Sequence, residues 1–139
     1  MDKVLLDTDI FSELLKGIDL RVAANAQAYQ AELGIYTISV ITVMEIVKGF
    51  HKLQREDRIQ RFMSQLPTLE VIMFETQAAD LAGRIYADLE RSGQPIGRAD
   101  PMIAGIALHH NLILVTGNLA HYQRIQALSY PLRLQNWRT

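Results

Sequence analysis

Two uninterrupted apolar runs, each stopped by turn-forming polar residues, constrain the fold of this chain more than any other feature. Val4–Leu6 is followed directly by Asp7-Thr8-Asp9, and Leu112–Val115 continues into Thr116-Gly117-Asn118. Strands that are buried on both faces lose the alternation of polar and apolar residues seen in one-sided sheets. Both runs are therefore predicted to be strands of a sheet that is covered on both sides.

Helical segments alternate with these strand-like runs along the rest of the chain. Gly17 and Gly34 mark two of the expected helix ends. Helices are predicted over Ile10–Lys16, Leu20–Leu33, the stripe Val40, Val43, Val47 and Phe50, Asp57–Leu66, Thr76–Arg91 and Asp100 to about Asn111, and strands over 35–38 and 69–74. A last helix and a short strand are expected to close the chain. This alternation favours an α/β fold with a mainly parallel sheet and right-handed crossovers.

Composition limits the class of protein. The 139 residues are 49% hydrophobic and 21% charged, which predicts one domain spanning 1–139. There is no cysteine, so disulfides, thiolate metal sites and cysteine nucleophiles are excluded. The net charge of −1 argues against a polycation that coats nucleic acid. An acidic start and the lack of a long apolar stretch predict a soluble, cytoplasmic protein with no membrane association.

Polar side chains collect where the predicted strands end. Asp7 and Asp9 follow the first strand, Asn118 follows the strand from Leu112, and Asp100 opens the helix that leads into that strand. Glu45 lies just beyond the second strand, off the apolar stripe of its helix. In parallel sheets, ligands gather at the carboxyl ends of the strands. These groups could therefore form a site for a hard divalent cation, which prefers carboxylate oxygens.

Each of these residues also has a simpler local interpretation. Asp9 is suited to cap the helix from Ile10, and Asp100, which precedes a proline, is suited to cap its own helix. Asp7 could form an Asx turn, Glu45 could be a solvated helix residue, and Asn118 could be another cap. Taken singly, none of them establishes an enzyme.

The ordered set of segments around these residues resembles the PIN-domain nucleases, and most closely the VapC-type toxins. The segments are Leu5-Leu6-Asp7-Thr8-Asp9-Ile10, Thr42-Val43-Met44-Glu45-Ile46, Asp100-Pro101-Met102-Ile103-Ala104-Gly105-Ile106-Ala107 and Leu114-Val115-Thr116-Gly117-Asn118. The resemblance extends over essentially the whole chain. It implies a three-layer α/β/α sandwich around a mainly parallel sheet of four to five strands. It also implies a magnesium- or manganese-dependent endoribonuclease that acts as the toxin of a type II toxin–antitoxin pair.

The resemblance also implies roles for individual residues. Asp7 and Asp100 would be the principal metal ligands, and Glu45 would complete the acidic site and orient water. Thr116 and Asn118 match the last motif, in which many members have an aspartate at the position of Asn118. A neutral side chain there favours one tightly held metal over two. Thr8 and Asp9 would support the first ligand.

Basic side chains and partners are less tightly specified. The densest basic stretch contains Lys48, Lys52, Arg55, Arg58 and Arg61. It is either a solvated helix face or a surface that binds RNA phosphates, for which Arg91 and Arg98 are further candidates. His109 and His110 end a helix, where a cation complementing the helix dipole is favoured over metal binding. Neither His51 nor His121 has the spacing of a metal ligand. The family resemblance implies an RNA substrate, a cognate VapB-type antitoxin that exposed apolar residues of the early helices could bind, and a homodimer.

Two other functions fit parts of the sequence. A strand that ends in Asp-x-Asp also opens phosphatases of the haloacid dehalogenase type, in which Asp7 would be the nucleophile and Asp9 the general acid. Phe11 and the absence of a later Gly-Asp-x-x-x-Asp segment depart from that pattern. A catalytically weak module that binds RNA or a protein is the third interpretation, and the neutral Asn118 favours it.

Overall fold

Seven helices and five short strands alternate along the computed structural model, which describes all residues from 1 to 139. A short 3₁₀ turn, Leu66–Thr68, precedes the third strand. The strands are β1 (Val4–Leu6), β2 (Thr37–Ser39), β3 (Glu70–Ile72), β4 (Ile113–Val115) and β5 (Leu134–Gln135). The helices are α1 (Thr8–Lys16), α2 (Leu20–Leu33), α3 (Val40–Lys52), α4 (Glu56–Gln65), α5 (Thr76–Arg91), α6 (Ala99–His109) and α7 (Leu119–Ala127).

All strand pairs are parallel, which confirms the predicted α/β class. β4 pairs with β1 on one side and β5 on the other, with Leu5 opposite Leu114, while β2 pairs with β3. β1 and β2 lie against each other without ladder pairing, so the expected sheet of four to five strands consists of a three-stranded and a two-stranded part. Strands of two or three residues make short ladders, which explains how the pairing can lapse at this junction.

The sheet separates two hydrophobic layers. Leu5 and Leu114 face a cluster built with α5, α6 and α7, whereas Leu6 and Val115 face a second cluster built with α1, α2, α3 and α4. Neighbouring strand residues thus point to opposite faces, as the pleat requires. This arrangement is the predicted three-layer sandwich, with helices on both sides of buried strands.

Helix ends that depend on neighbouring residues agree with the bounds predicted from the sequence, whereas elements that depend on packing differ from those predictions. Gly17 has φ 68°, the left-handed conformation expected after a helix, and α2 and α5 have the predicted bounds. β2 begins two residues later than predicted, because Ile35 is exposed at the surface. In α3 the fully buried residues are Ile41, Thr42 and Ile46, whereas the predicted stripe is only half-buried, since α1, α4 and α6 contact this helix from different sides.

None of the helices combines the length and the apolar character needed to cross a membrane.

Candidate functional site

Asp7 lies at the carboxyl end of β1 and is almost fully buried, with 3% of its surface exposed. It is the N-cap residue of α1, and its Oδ1 accepts a hydrogen bond from the backbone N–H of Thr8 at 2.9 Å. Its Oδ2 accepts from the hydroxyl of Thr116, at the end of β4, at 2.8 Å. The Asx interpretation therefore captures only half of its contacts, since the carboxylate also links the ends of two strands.

Glu45 reaches the same edge of the sheet from α3. The hydroxyl of Thr8 donates to Glu45 Oε1 at 2.5 Å, and the hydroxyl oxygens of Thr8 and Thr42 are 2.9 Å apart. Glu45 is half-buried, and the hydrogen bond from Thr8 goes beyond the solvated-helix interpretation. Its contact partner directly follows Asp7 in the chain. Thr8 thus joins the carboxylate of α3 to the start of α1.

Asp100 lies within the first turn of α6, where it makes contacts across the molecule rather than a cap. Arg98 occupies the N-cap position of this helix, and no side chain caps it, so the predicted capping role of Asp100 is wrong. Asp100 Oδ1 accepts a hydrogen bond from the hydroxyl of Tyr122 at 3.2 Å, and its Oδ2 is 3.1 Å from His121 Nδ1. Both partners belong to the first turns of α7, which begins at the same edge of the sheet.

Asp9 fastens the loop after β4 to the first turn of α1. Its Oδ1 accepts from the backbone N–H of Ile10 at 2.7 Å, and its Oδ2 accepts from that of Gly117 at 2.9 Å. Because α1 begins at Thr8 with Asp7 as its cap, the prediction that Asp9 caps the helix is wrong. The guanidinium of Arg138 lies 3.7 Å from Asp9 Oδ2, which partly compensates the charge of this second carboxylate.

Asn118 occupies the N-cap position of α7, but its side chain forms no capping hydrogen bond. Its backbone N–H donates to the hydroxyl of Thr116 at 3.0 Å, and the residue is exposed. Thr116 therefore accepts from the α7 start while donating to Asp7. The side chain of Asn118 remains available at the mouth of the site.

The electrostatics show that Asp7, Asp9 and Asp100 lie close enough to influence one another. Burial, together with the charges of Asp9 and Asp100, raises the pKa of Asp7 to about 7 against the lowering effect of the Thr116 hydrogen bond. Burial and the Asp100 charge also raise the pKa of Asp9, although the Gly117 N–H and Arg138 oppose them. The pKa of Tyr122 is raised well above its ordinary value by burial and by the charges of Asp7 and Asp100. No ion pair compensates Asp7 or Glu45.

The donor set fits a hard divalent cation. Asp7, Asp100 and Glu45 offer carboxylate oxygens, and the chain contains no cysteine thiolate. Mg²⁺ and Mn²⁺ prefer oxygen ligands and need few of them from the protein. A buried carboxylate whose pKa is raised by desolvation and by like charges lacks a nearby positive charge, and a divalent ion would supply it.

The comparisons with known proteins identify the family. The family profile described as "PIN domain" matches residues 4–126. The chain belongs to the PIN-domain family. It is 33% identical to the tRNA(fMet)-specific endonuclease VapC of Shigella flexneri over 99% of both chains, and 33% identical, with the same coverage, to the ribonuclease VapC2 of Haemophilus influenzae. The crystal structure of DNA-bound VapBC from Salmonella typhimurium is similar, with a TM-score of 0.80, 32% identity and 99% of both chains covered.

This family assignment removes one of the sequence-based alternatives. The haloacid dehalogenase interpretation relied on the Asp-x-Asp that ends the first strand, but the PIN profile extends over the later segments as well. The phosphatase prediction is therefore wrong.

The predicted basic residues of this PIN domain divide into two groups. Lys48, Lys52 and Arg55 are exposed, and Arg55 pairs with Asp57. Arg98 is exposed at the start of α6, two residues before Asp100. None of the three residues near the end of α3 forms a hydrogen bond or ion pair with Asp7, Glu45 or Asp100, whereas Arg98 lies close to Asp100 in the chain.

A groove of about 830 Å³ between α1, α3 and α4 leads to the acidic residues of this PIN domain. Thr8 and Glu45 contribute to its lining, which places the groove directly beside the site. Its apolar residues are Leu15, Ile18, Ile46, Phe50, Leu53 and Phe62, and its basic residues are Lys16, Arg58 and Arg61. Arg58 and Arg61, unlike Lys48 and Lys52, therefore line the groove that also contains Glu45.

Tyr122 and Arg138 were not predicted as site residues, and His121 was considered only as a metal ligand. Tyr122 and His121 contact Asp100, and Arg138 contacts Asp9 from the end of the chain. A signal for the first two was available, because a helix that follows β4 must begin at the edge where β4 ends. No sequence signal indicates Arg138, whose position depends on the packing of the buried Trp137 beside Tyr29.

Proposed function

We propose that this protein is a metal-dependent endoribonuclease that hydrolyses RNA phosphodiester bonds and acts as the toxin of a type II toxin–antitoxin pair. The observation that supports this function most strongly is the buried Asp7 carboxylate, which lacks a cationic partner and is influenced by the charge of Asp100. Similarity to relatives named as ribonucleases and as a tRNA-specific endonuclease supports the RNA substrate class.

Asp7 and Asp100 would hold Mg²⁺ or Mn²⁺ as principal ligands, with Glu45 at the margin of the same site. When bound, such an ion supplies charge stabilisation for the phosphodiester and acidifies a water molecule. Its preference for oxygen ligands matches the three carboxylates.

The side chains of the protein prepare these carboxylates for their roles. The Thr116 hydroxyl fixes one oxygen of Asp7, and the Tyr122 hydroxyl fixes one oxygen of Asp100. The Thr8 hydroxyl fixes Glu45 Oε1, so the second oxygen of Glu45 is free to orient the attacking water and accept its proton. Asp9 holds the loop at Gly117, and Asn118, being neutral, positions water or RNA without adding charge.

The proposed activity is tested with purified protein, RNA and either Mg²⁺ or Mn²⁺. Asp7→Ala, Asp100→Asn and Glu45→Gln are expected to lower the cleavage rate by about 100-fold or more, because each removes a charged oxygen from the site. Asp80→Asn is the matched control, since Asp80 is an exposed carboxylate that pairs only with Arg84. Chelation should abolish cleavage.

Equal activity in the wild type and in these site variants would assign the cleavage to a contaminant or to another site. RNA binding that persists in chelator, without products after long incubation with Mn²⁺, would instead support the catalytically weak binding module. Because two of the similar proteins are named for tRNA(fMet), initiator tRNA is the first substrate to test, with an elongator tRNA beside it.

We propose that the groove between α1, α3 and α4 is the binding site for a VapB-type antitoxin. Ile18 and Leu53 leave 76% and 66% of their surface exposed there, and Lys16, Arg58 and Arg61 supply positive charge beside them. An amphipathic, acidic segment complements such a surface. Similarity to VapC chains solved within VapBC complexes supports this partner.

Co-purification of the cognate antitoxin tests this proposal. Ile18→Glu is expected to release the antitoxin, whereas Ile35→Glu, which charges an exposed isoleucine outside the groove, should retain it. Retention by both variants would place the antitoxin elsewhere. The homodimer remains a prediction, which light scattering of the purified protein checks.

A further inference from the structure

Two consecutive histidines and a glutamate meet where α5 begins and α6 ends. His109 is the last residue of α6, His110 follows it, and Glu75 immediately precedes α5. Glu75 Oε1 lies 2.6 Å from His110 Nε2, and its Oε2 lies 3.6 Å from His109 Nε2. One ligand atom from each of the three residues lies within 4.8 Å of the others.

This cluster is separate from the acidic site. Asp100 and His109 lie at opposite ends of α6, and nine residues of α-helix correspond to about 14 Å along the axis. His110 precedes β4, whereas Asp7 follows the parallel strand β1, so they lie beyond opposite ends of the paired strands. A cation held by Glu75 and the histidines would therefore not be the ion proposed for the carboxylates.

A cationic histidine that complements the helix dipole would explain one of the two residues at the end of α6. It does not explain why two imidazoles face a single carboxylate. The two rings pack edge to face, with centroids 4.8 Å apart, and both Nε2 atoms face the Glu75 carboxylate. All three residues are exposed, so an ion can reach them from solvent. The Glu75 carboxylate forms no hydrogen bond or ion pair with any side chain other than these two histidines.

We propose that Glu75, His109 and His110 form a surface site for a transition-metal ion of the Zn²⁺ class, with water completing the coordination. Two imidazoles and a carboxylate are a ligand set that Zn²⁺, Co²⁺ and Ni²⁺ accept, whereas Mg²⁺ strongly prefers oxygen. A bound ion would cross-link the beginning of α5 to the end of α6. These helices pack against each other in the hydrophobic layer beside β1 and β4.

Zn²⁺ titration by calorimetry tests the proposal in the Asp7→Asn variant, in which the acidic site is weakened. We expect one equivalent to bind, and we expect Glu75→Gln, His109→Gln and His110→Gln each to weaken binding by roughly tenfold or more, because each removes a ligand. His51→Gln is the matched control, since His51 is exposed and outside the cluster. Circular dichroism in chelator verifies that every variant is folded.

Co²⁺ provides a second readout, because its visible absorption bands report imidazole and carboxylate ligation directly. The bands should be present in the Asp7→Asn variant and should disappear when either histidine of the cluster is replaced. Absence of Zn²⁺ binding in the Asp7→Asn background would overturn the proposal. Binding that is unchanged by any one of the three glutamine substitutions would overturn it equally. Neither result bears on RNA cleavage, which the acidic-site variants test separately.

Discussion

Replacing Asp7 with asparagine is expected to stabilise the metal-free protein at neutral pH while abolishing cleavage. Burial raises the pKa of Asp7 from 3.8 to about 7, so between these values the folded protein holds a proton that the unfolded chain has released. The unfolded chain thus binds fewer protons in this range, and the free energy of unfolding falls as the pH rises through it. Above pH 7 the folded protein bears the full cost of a buried charge, which asparagine avoids.

The size of the effect follows from the pKa difference. Three pKa units at 1.36 kcal/mol each give an upper limit of about 4 kcal/mol at pH 8. Relaxation of the site around the charge and an altered hydrogen bond from Thr116 reduce this gain. We therefore expect Asp7→Asn to add about 2 kcal/mol, which raises the midpoint of thermal unfolding by roughly 5 °C in a chain of this size.

Thermal unfolding in chelator at pH 5 and pH 8 measures the effect. The advantage of Asp7→Asn should be larger at pH 8, and Asp80→Asn should show no such pH-dependent gain, because Asp80 is exposed beside Arg84. Excess Mg²⁺ should stabilise the wild type more than the variant, since by our proposal the intact carboxylate would bind the ion more strongly. An equal midpoint for wild type and variant at pH 8, or an advantage that is the same at both pH values, would refute the claim of an uncompensated buried charge.

Four further substitutions test packing and the edges of the site. Gly105→Ala should lower the free energy of unfolding by about 1–3 kcal/mol, because its Cβ would lie 2.6 Å from a backbone carbonyl oxygen of α5. Gly83 faces open space on α5, so Gly83→Ala should raise the free energy of unfolding by about 0.5–1 kcal/mol. Thermal unfolding of the two variants distinguishes these effects. Thr116→Val removes the hydroxyl that lowers the pKa of Asp7, so the pH–rate profile of cleavage should shift to more alkaline pH; an unchanged profile would show that this contact does not tune the carboxylate. Asn118→Asp adds a carboxylate and should raise the Mn²⁺ stoichiometry measured by calorimetry from one towards two, whereas unchanged stoichiometry would contradict a role for the neutral side chain in limiting metal binding.

Local chemistry made much of the fold predictable. A glycine in the left-handed conformation ends α1, and the amphipathic spacing over 76–91 fixes α5, because both signals depend on neighbours in sequence. The burial pattern of α3 could not be predicted from one stripe, since three other helices determine which of its faces are covered. The break in pairing between β1 and β2 is likewise a property of the assembled sheet.

The positions of the site residues could be predicted where they follow from strand topology. They could not be predicted where they depend on contacts between side chains that are distant in sequence. The rule that parallel strands end at one edge correctly brings Asp7 and Thr116 together, and their contact is direct. The capping rules failed for Asp9 and Asp100, because each carboxylate has a distant partner that a local pattern cannot contain. Arg138 is the extreme case, since 129 residues of sequence, from 9 to 138, separate it from the carboxylate that it faces.

The architecture explains why a costly carboxylate can be maintained at this edge. α1, α6 and α7 all begin here, and a helix N-terminus favours negative charge by about 0.3–1 kcal/mol within its first turn. Hydrogen bonds from Thr8 and Thr116 add to this, yet the pKa of Asp7 remains raised, so burial and the neighbouring carboxylates outweigh them all. The uncompensated negative charge that remains favours the binding of a cation. A protein with such a site is less stable without a bound ion than its neutral variant. The excess of negative charge that lowers its stability would also give a divalent ion its affinity.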